Sequence, residues 1–506
     1  MTSLGAHNLS RPARGSALPA TPHPLARLLL PALRWSDRGY EDARDTIEHG
    51  LALGVGGFIL FGGEANAVRE LTAELHERAL HPLLIASDLE RGAGQQFRGA
   101  TPLPPAAALG SLAEPEITRR AAELTAREAR ALGVNWIYAP VADVDLEPRN
   151  PIIGTRAFGR VAERVAVQVA AWVRGCAEGG ALSCAKHFPG HGRTVGDSHI
   201  ERPCAEFPRQ DLEADLLPFR SAIQAGTDAM MTAHVCYPAL DPDGLPATLS
   251  SRILGDLLRD ELGFRGLVVT DALIMEGFIE DTDEAQAAVR AVTAGCDALL
   301  YPEDTDAVVR ELEAALDDGR LSPERADEAI RRIAAAAERV AGGPVGAWGR
   351  EEDRRWALEI ALRSVRVLRG TPALPQGPVR LVEIDDDIGG PFPPYPRDAL
   401  PAALHAAGVD VRQEGAPLVV LYSDVRAWKG RPGISAGARE RVGVVTASSP
   451  ETTILLFGPP RLAEELAEAR HILVAWGGEA LMQEAAMAWL AGEHGGLPSA
   501  AEGLDR

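Results

Sequence analysis

Residues 182–203 read LSCAKHFPGHGRTVGDSHIERP, and this stretch decides the fold because its character changes abruptly after its fourth residue. It opens as an apolar strand. It then spends Lys186, His187, His191, Asp197, Ser198 and His199 within fourteen residues, broken by Pro189 and three glycines. Such a loop is too polar to belong to a core. A strand that runs into a long, glycine-bent, titratable loop is what a parallel α/β scaffold places at the mouth of its active site.

Working outward, apolar runs of strand length recur at 28–33, 55–61, 82–87, 134–139, 182–186, 228–232, 267–270 and 297–301. Amphipathic helical patterns such as 67–80 and 116–132 lie between them. Strands that are apolar throughout are covered on both faces, which calls for a parallel sheet. Eight such βα units over roughly 300 residues predict an α/β fold, a closed (β/α)8 TIM-type barrel in preference to an open sheet. The polar residues agree. Asp88 follows the third run, Asp143 the fourth, Lys186 and His187 end the fifth, His234 follows the sixth and Asp271 ends the seventh. All of them then share the C-terminal rim of the barrel.

After the eighth run, 306–341 reads as two helices, the second starting at Ser322-Pro323 with an N-cap and a first-turn proline. The GGPVGAWGR segment at 342–350 breaks the pattern, a helix follows over 351–365, and a proline- and glycine-rich connection leads on. Strand-like runs at 379–384, 418–422, 442–446, 453–457 and 471–476 then alternate with Ala-rich helices, predicting a smaller α/β sandwich domain. The expected division is a flexible tail over 1–24, the barrel over 25–345, a helix and linker over 346–377 and the C-terminal domain over 378–506. The GGPFPPYP stretch at 389–396 reads as a loop.

Composition narrows the function. With 46% apolar residues and a formal net charge of −21, the chain is globular and would repel a phosphate backbone or an anionic membrane, leaving a small neutral molecule as the expected partner. No run approaches the ~18 apolar residues of a membrane span. Cys176, Cys184, Cys204, Cys236 and Cys296 lack metal-type spacing, and a disulfide framework is not expected, which points to a reducing, cytoplasmic setting. Barrel-type metal hydrolases need a tight His-x-His pair early in the chain, absent here, so neither metal nor other cofactor is expected. The glycines of 54–57 precede a strand instead of opening a helix and so do not make a phosphate loop.

Individual residues carry the chemistry. Asp271, directly after its strand, is either a helix N-cap or a nucleophile or base held at a barrel rim, and its place opposite the 187–200 loop favours the second. In Asp197-Ser198-His199, a histidine beside a carboxylate suits general acid/base work, whereas the plainer reading is a turn with a solvated ring. Lys186 and His187 are consecutive, so only one points into the barrel unless the strand twists or bends there. A buried Lys186 needs an anion, and Asp88 or a ligand hydroxyl answers that. His191 holds the loop in its simplest role.

These motifs resemble glycoside hydrolase family 3, specifically its β-N-acetylhexosaminidase branch, in which KHFPGHG is followed by a DSH loop. GVGGFILFGG (54–63), SDLERG (87–92), NWIYAPVADVDLEPRNPIIGTRAFG (135–159), MTAHVCYPALDPDGLPATLS (231–250) and ELGFRGLVVTDALIMEG (261–277) follow in the family's order. The resemblance implies a retaining glycosidase with Asp271 as nucleophile, His199 as acid/base and Asp197 as its dyad partner. It implies sugar binding by Asp88, Arg156, Lys186 and His187. The expected activity is exo-hydrolysis of terminal β-N-acetylglucosaminides from cell-wall or chitin fragments. A β-glucosidase, a glycoside phosphorylase, or a sugar-binding relative without turnover are the alternatives. Three departures stand out: Gln96 where the family has a sugar-binding arginine, Arg91 where it has glycine, and Arg193 where it commonly has aspartate.

Overall fold

The computed structural model describes residues 22–198, 200–275, 278, 283–388, 395–426 and 429–493. Seven parallel strands lie side by side in chain order: β2 (Ala32–Arg34), β3 (Gly57–Phe61), β4 (Leu84–Ser87), β5 (Trp136–Ile137), β6 (Leu182–Phe188), β7 (Ala229–Thr232) and β8 (Leu267–Val269). Each passes to the next through helical chain, as parallel neighbours require. β1 (Leu29–Leu30) precedes β2, with Pro31 between them removing a ladder donor. β1 pairs in parallel with β9 (Leu299–Leu300). Val269 bridges to Ala298, and Tyr301 N donates to Leu30 O at 2.9 Å, so hydrogen bonding continues from β8 through β9 to β1. The curled parallel sheet and its alternating helices bear out the α/β reading.

The strand interiors are buried on both faces, as their mainly apolar sequence demands, and each such Leu, Ile, Val or Phe contributes about 1.5–3 kcal/mol. The two helices expected after the eighth strand are Thr305–Asp317 and Pro323–Arg339. Ser322 Oγ accepts from Arg325 N at 3.2 Å, the cap its sequence announces.

A second sheet runs β10-β14-β13-β12-β11: β10 (Arg366–Arg369), β11 (Val379–Asp385), β12 (Ala416–Tyr422), β13 (Thr453–Phe457) and β14 (His471–Val474). Four strands are parallel and β10 is antiparallel at one edge. Two expectations need correction here. The run 442–446 is not a strand but part of the helix Ala436–Ser448, capped by Ser435 Oγ at Ala438 N, with Val442 and Val445 buried one turn apart and Val444 exposed. Its β-branched residues mimic a strand locally, and the cap and helical burial period outweigh that. Conversely, β10 is half-buried along its whole length and shows no alternation to betray it.

The cysteine expectation is also corrected. Cys204 and Cys236 form a disulfide, because the chain after the 187–200 loop and the chain after β7 run side by side there with Cα atoms 4.5 Å apart. Sequence spacing does not reveal that proximity, and the argument for a reducing setting loses its basis. Cys176, Cys184 and Cys296 are free and buried. Residues 1–21 of the expected tail, and 389–394 of the expected loop, lie outside the described residues. At the end of the tail range the chain is already bound in: His23 N donates to Leu53 O and Pro24 starts a turn that buries Leu25 and Leu28. No helix among the described residues is long and apolar enough to cross a membrane.

Asp297, wholly buried just before β9, shows what fixes this end of the sheet. It accepts from Arg259 (2.9 Å), Arg325 (2.5 Å) and Arg332 (3.0 Å), and from Val268 N at 3.0 Å. Removing it leaves three clustered guanidinium groups without their shared anion. Asp297→Ala is therefore expected to lose about 3–5 kcal/mol of unfolding free energy in urea titration.

Candidate functional site

The C-terminal ends of β4, β5, β6 and β8 bring the sequence-predicted residues together, except that His199 lies outside the described residues. Lys186, only 2% exposed, sits in β6 with Nζ 2.6 Å from Asp88 Oδ1 and 2.7 Å from Glu90 Oε1. Glu90 is also gripped by Arg156, whose Nη2 donates to Oε1 at 2.8 Å and Nε to Oε2 at 3.0 Å. Two cations and two anions balance. Burial alone would raise the Glu90 pKa, but the Arg156 and Lys186 charges outweigh it and hold the carboxyl well below its usual range. Lys186 likewise stays charged: burial opposes its charge, and Asp88 and Glu90 overcome it, raising its pKa.

His187 faces a different partner. Its Nδ1 lies 2.7 Å from the wholly buried Asp143, which also accepts from His187 N and, at 2.6 Å, from His191 N. Both Lys186 and His187 thus serve one rim, because the pairing of β6 with β7 shifts register between Ala185 and Phe188 and bends the strand. That is the exception the sequence allowed for.

The loop beyond is built around His191. Its Nε2 is 3.0 Å from Ser198 Oγ and its Nδ1 2.7 Å from Thr194 Oγ1, while Asn150 Nδ2 donates to the carbonyls of His191 and Thr194. Asp197 is buried, and its carbonyl accepts from Ile200 N and Glu201 N in a turn. Burial, then the neighbouring His187, pull the His191 pKa down to about 4, so the ring is neutral near pH 7.

Asp271 follows β8, with Ala272 N donating to Oδ1 at 2.8 Å. Its charge lies within electrostatic reach of both His191, where it weakly opposes the downward shift set by burial, and Tyr138, whose pKa burial raises and Asp271 raises slightly further. His234 ties this corner together, with Nδ1 2.8 Å from Thr248 Oγ1 and Nε2 3.2 Å from Ala272 O. Carboxylates, a buried lysine and an arginine around one end of a sheet, with hydrogen-bond capacity on every side, suit a polyhydroxylated neutral ligand.

The model of the glycosyl hydrolase family 3 N-terminal domain matches residues 26–336. The chain belongs to glycosyl hydrolase family 3. It is 35% identical over 341 residues to a β-N-acetylglucosaminidase/β-glucosidase of Cellulomonas fimi, covering 64% of this chain and 60% of that protein. Over 297 residues it is 38% identical to a β-hexosaminidase of Nitrosomonas eutropha, covering 55% of this chain and 84% of that one. The solved family 3 β-N-acetylglucosaminidase of Paenibacillus sp. str. FPU-7 superposes with a TM-score of 0.82 at 30% identity, covering 95% of this chain and 99% of that one.

Against that family background the three departures have structural partners. Gln96 Oε1 accepts from Gly62 N at 3.0 Å. Arg193 Nε donates to Asp215 Oδ2 at 2.6 Å and its guanidinium lies over the Phe207 ring. Arg91 makes its contacts outside the Asp88–Glu90–Arg156–Lys186 cluster: its guanidinium is taken up by Asp424, Glu479 and Thr155. Sequence reasoning missed Glu90 as the hub, although its position two residues after Asp88 in extended chain puts both on one side. Asn150 had no signal at all.

The His191 ring yields a pH test. Its pKa falls from 6.5 unfolded to about 4 folded, so the unfolded chain binds the proton more readily over that window. Stability is full above pH 6.5 and declines as pH falls toward 4. Urea unfolding at pH 7.5 and 4.5 is expected to differ by about 2–3 kcal/mol from this residue, a difference His191→Gln removes.

Proposed function

We propose that this glycoside hydrolase removes terminal β-N-acetylglucosamine residues from short glycans, cell-wall or chitin fragments, with retention of anomeric configuration. The observation that carries the reading is the juxtaposition at one end of the sheet: the charge-balanced Asp88–Glu90–Arg156–Lys186 cluster, His187 on Asp143, and Asp271 within electrostatic reach of His191 on the loop that bears the DSH triplet. Relatives named β-hexosaminidase at 38–40% identity support the same substrate class.

In this reading Asp88, Arg156, Lys186 and His187 hold the hydroxyls of the terminal ring. The Asp271 carboxylate attacks the anomeric carbon as the His199 imidazolium, stabilised by Asp197, gives its proton to the departing oxygen. The glycosidic C–O bond breaks and a glycosyl ester on Asp271 forms. Water, deprotonated by His199, then attacks the same carbon and frees Asp271. In the same reading the catalytic domain over 25–345 is a TIM-type barrel, which the curled seven-stranded sheet and the β1–β9 pair beside it support. A helix over 351–364 follows, and β10, from the range expected to be linker, joins the strands from β11 onward in a C-terminal α/β domain. Glucosides are the second substrate class, favoured by the double name of the Cellulomonas fimi relative.

Asp271→Asn is expected to lower turnover of an aryl N-acetyl-β-glucosaminide by about 10³-fold or more, with trapping by a 5-fluoro glycosyl donor labelling Asp271 in the wild type. Equal rates in both proteins would remove the nucleophile. His199→Ala is expected to cost about 10²–10⁴-fold on a disaccharide and far less on a dinitrophenyl glycoside, whose leaving group needs no proton. A loss independent of the leaving group would rule out His199 as the acid.

A further inference from the structure

We infer that Asp424, on the chain just after β12, is a positioning residue for the sugar-binding cluster. Through it the C-terminal sheet sets the geometry of a site whose ligands all come from the first sheet. The inference rests on the cluster being the sugar site proposed above.

Asp424 is 5% exposed and reaches across to two loops at once. Its Oδ1 accepts from Thr155 Oγ1 at 2.5 Å, and its Oδ2 from Arg91 Nη1 and Nη2, each at 3.3 Å. Thr155 is the residue before Arg156, and Arg91 is the residue after Glu90. Arg156 and Glu90 are the two members of the cluster that grip each other at 2.8 and 3.0 Å. One carboxylate therefore holds the chain neighbours of both halves of that pair. Glu479, at the start of the helix Ala480–Leu490, adds a second contact to Arg91 at 3.2 Å.

The arrangement is more than general adhesion between the two sheets. Arg91 is buried, and its charge would be costly there without Asp424 and Glu479, so the three stay together only while the C-terminal sheet is docked. Asp424 is itself fixed by Asp387 Oδ1, which accepts from its backbone N at 2.7 Å. Close by, Arg461 pairs with Asp145 at 2.5 Å, and Gly154 lies against Val425 so closely that a Cβ there would come within 2.6 Å of it. These contacts all fall on the loops after β4 and β5, the loops that deliver Asp88, Glu90 and Arg156. A guanidinium–carboxylate lock of this kind fixes where hydroxyl-binding atoms sit, and sugar affinity depends on placement to within about 0.5 Å. Arg91, the residue that departs from the family's glycine, is what makes the lock possible.

The test uses the full chain with Asp424→Asn, Arg91→Met and the double variant. Steady-state kinetics with an aryl N-acetyl-β-glucosaminide and calorimetric titration with N-acetylglucosamine are the readouts. Each single variant is expected to raise KM and weaken sugar binding about tenfold or more while kcat changes less than threefold. The double variant is expected to be no worse than the worse single one, and Arg91→Lys to recover part of the loss. Wild-type KM and sugar affinity in folded variants, with effects confined to thermal stability, would overturn the inference. So would independent, multiplying effects of the two substitutions. The titration reads positioning without turnover, so a wild-type protein that binds the sugar and hydrolyses nothing sinks the hydrolase reading alone.

Discussion

Everything at the site depends on keeping Lys186 charged inside the protein. An ammonium removed from water carries a desolvation cost of several kcal/mol, which only well-placed anions offset. Asp88 and Glu90 supply them at 2.6 and 2.7 Å. Glu90 in turn needs Arg156, because two carboxylates on one lysine would leave an excess negative charge. The result is a neutral, rigid array of donors and acceptors. Such a charge-balanced array suits the uncharged sugar proposed for it, even in a chain of net charge −21.

The same economy shapes the loop after β6. Asp143 accepts from the backbone of both His187 and His191 while orienting the His187 ring, so one buried carboxylate organises three donors. His191 then serves as a neutral bridge between Thr194 and Ser198, one hydroxyl on each nitrogen. Burial makes that neutrality cheap to keep. Of the polar residues that look extravagant in the sequence, His191 and Ser198, with Thr194, are spent on holding a glycine-rich turn still.

Much of this was legible in advance, and for identifiable reasons. Parallel strands are apolar on both faces, so 182–186 and 267–270 announced themselves, and the residues ending them had to share a rim. The Ser322-Pro323 start fixed a helix by its cap alone. What failed lacked a local signal. The helix over 442–446 is dictated by Ser435 upstream and by which valines are covered, facts of packing that override β-branched propensity. The disulfide joins residues 32 apart that only the fold makes adjacent. Glu90 hid in plain view beside Asp88, because its value lies in Arg156, 66 residues away.

Arg91 shows most clearly why a motif cannot be read one position at a time. Set beside Gln96 it is one of two departures within a single motif, and that motif supplies no partner for its charge. Its partners lie 333 and 388 residues further on, in a sheet whose sequence carries no motif pointing back to this one. A long cation at a position that is otherwise glycine is tolerable only where something else supplies anions and excludes water. That something is the C-terminal sheet, so the substitution and the docking of the sheet belong to one physical arrangement. Glycine there would leave Asp424 with Thr155 and the backbone N of Val425, and Glu479 without the Arg91 guanidinium, two buried carboxylates on the C-terminal side deprived of the cation they share.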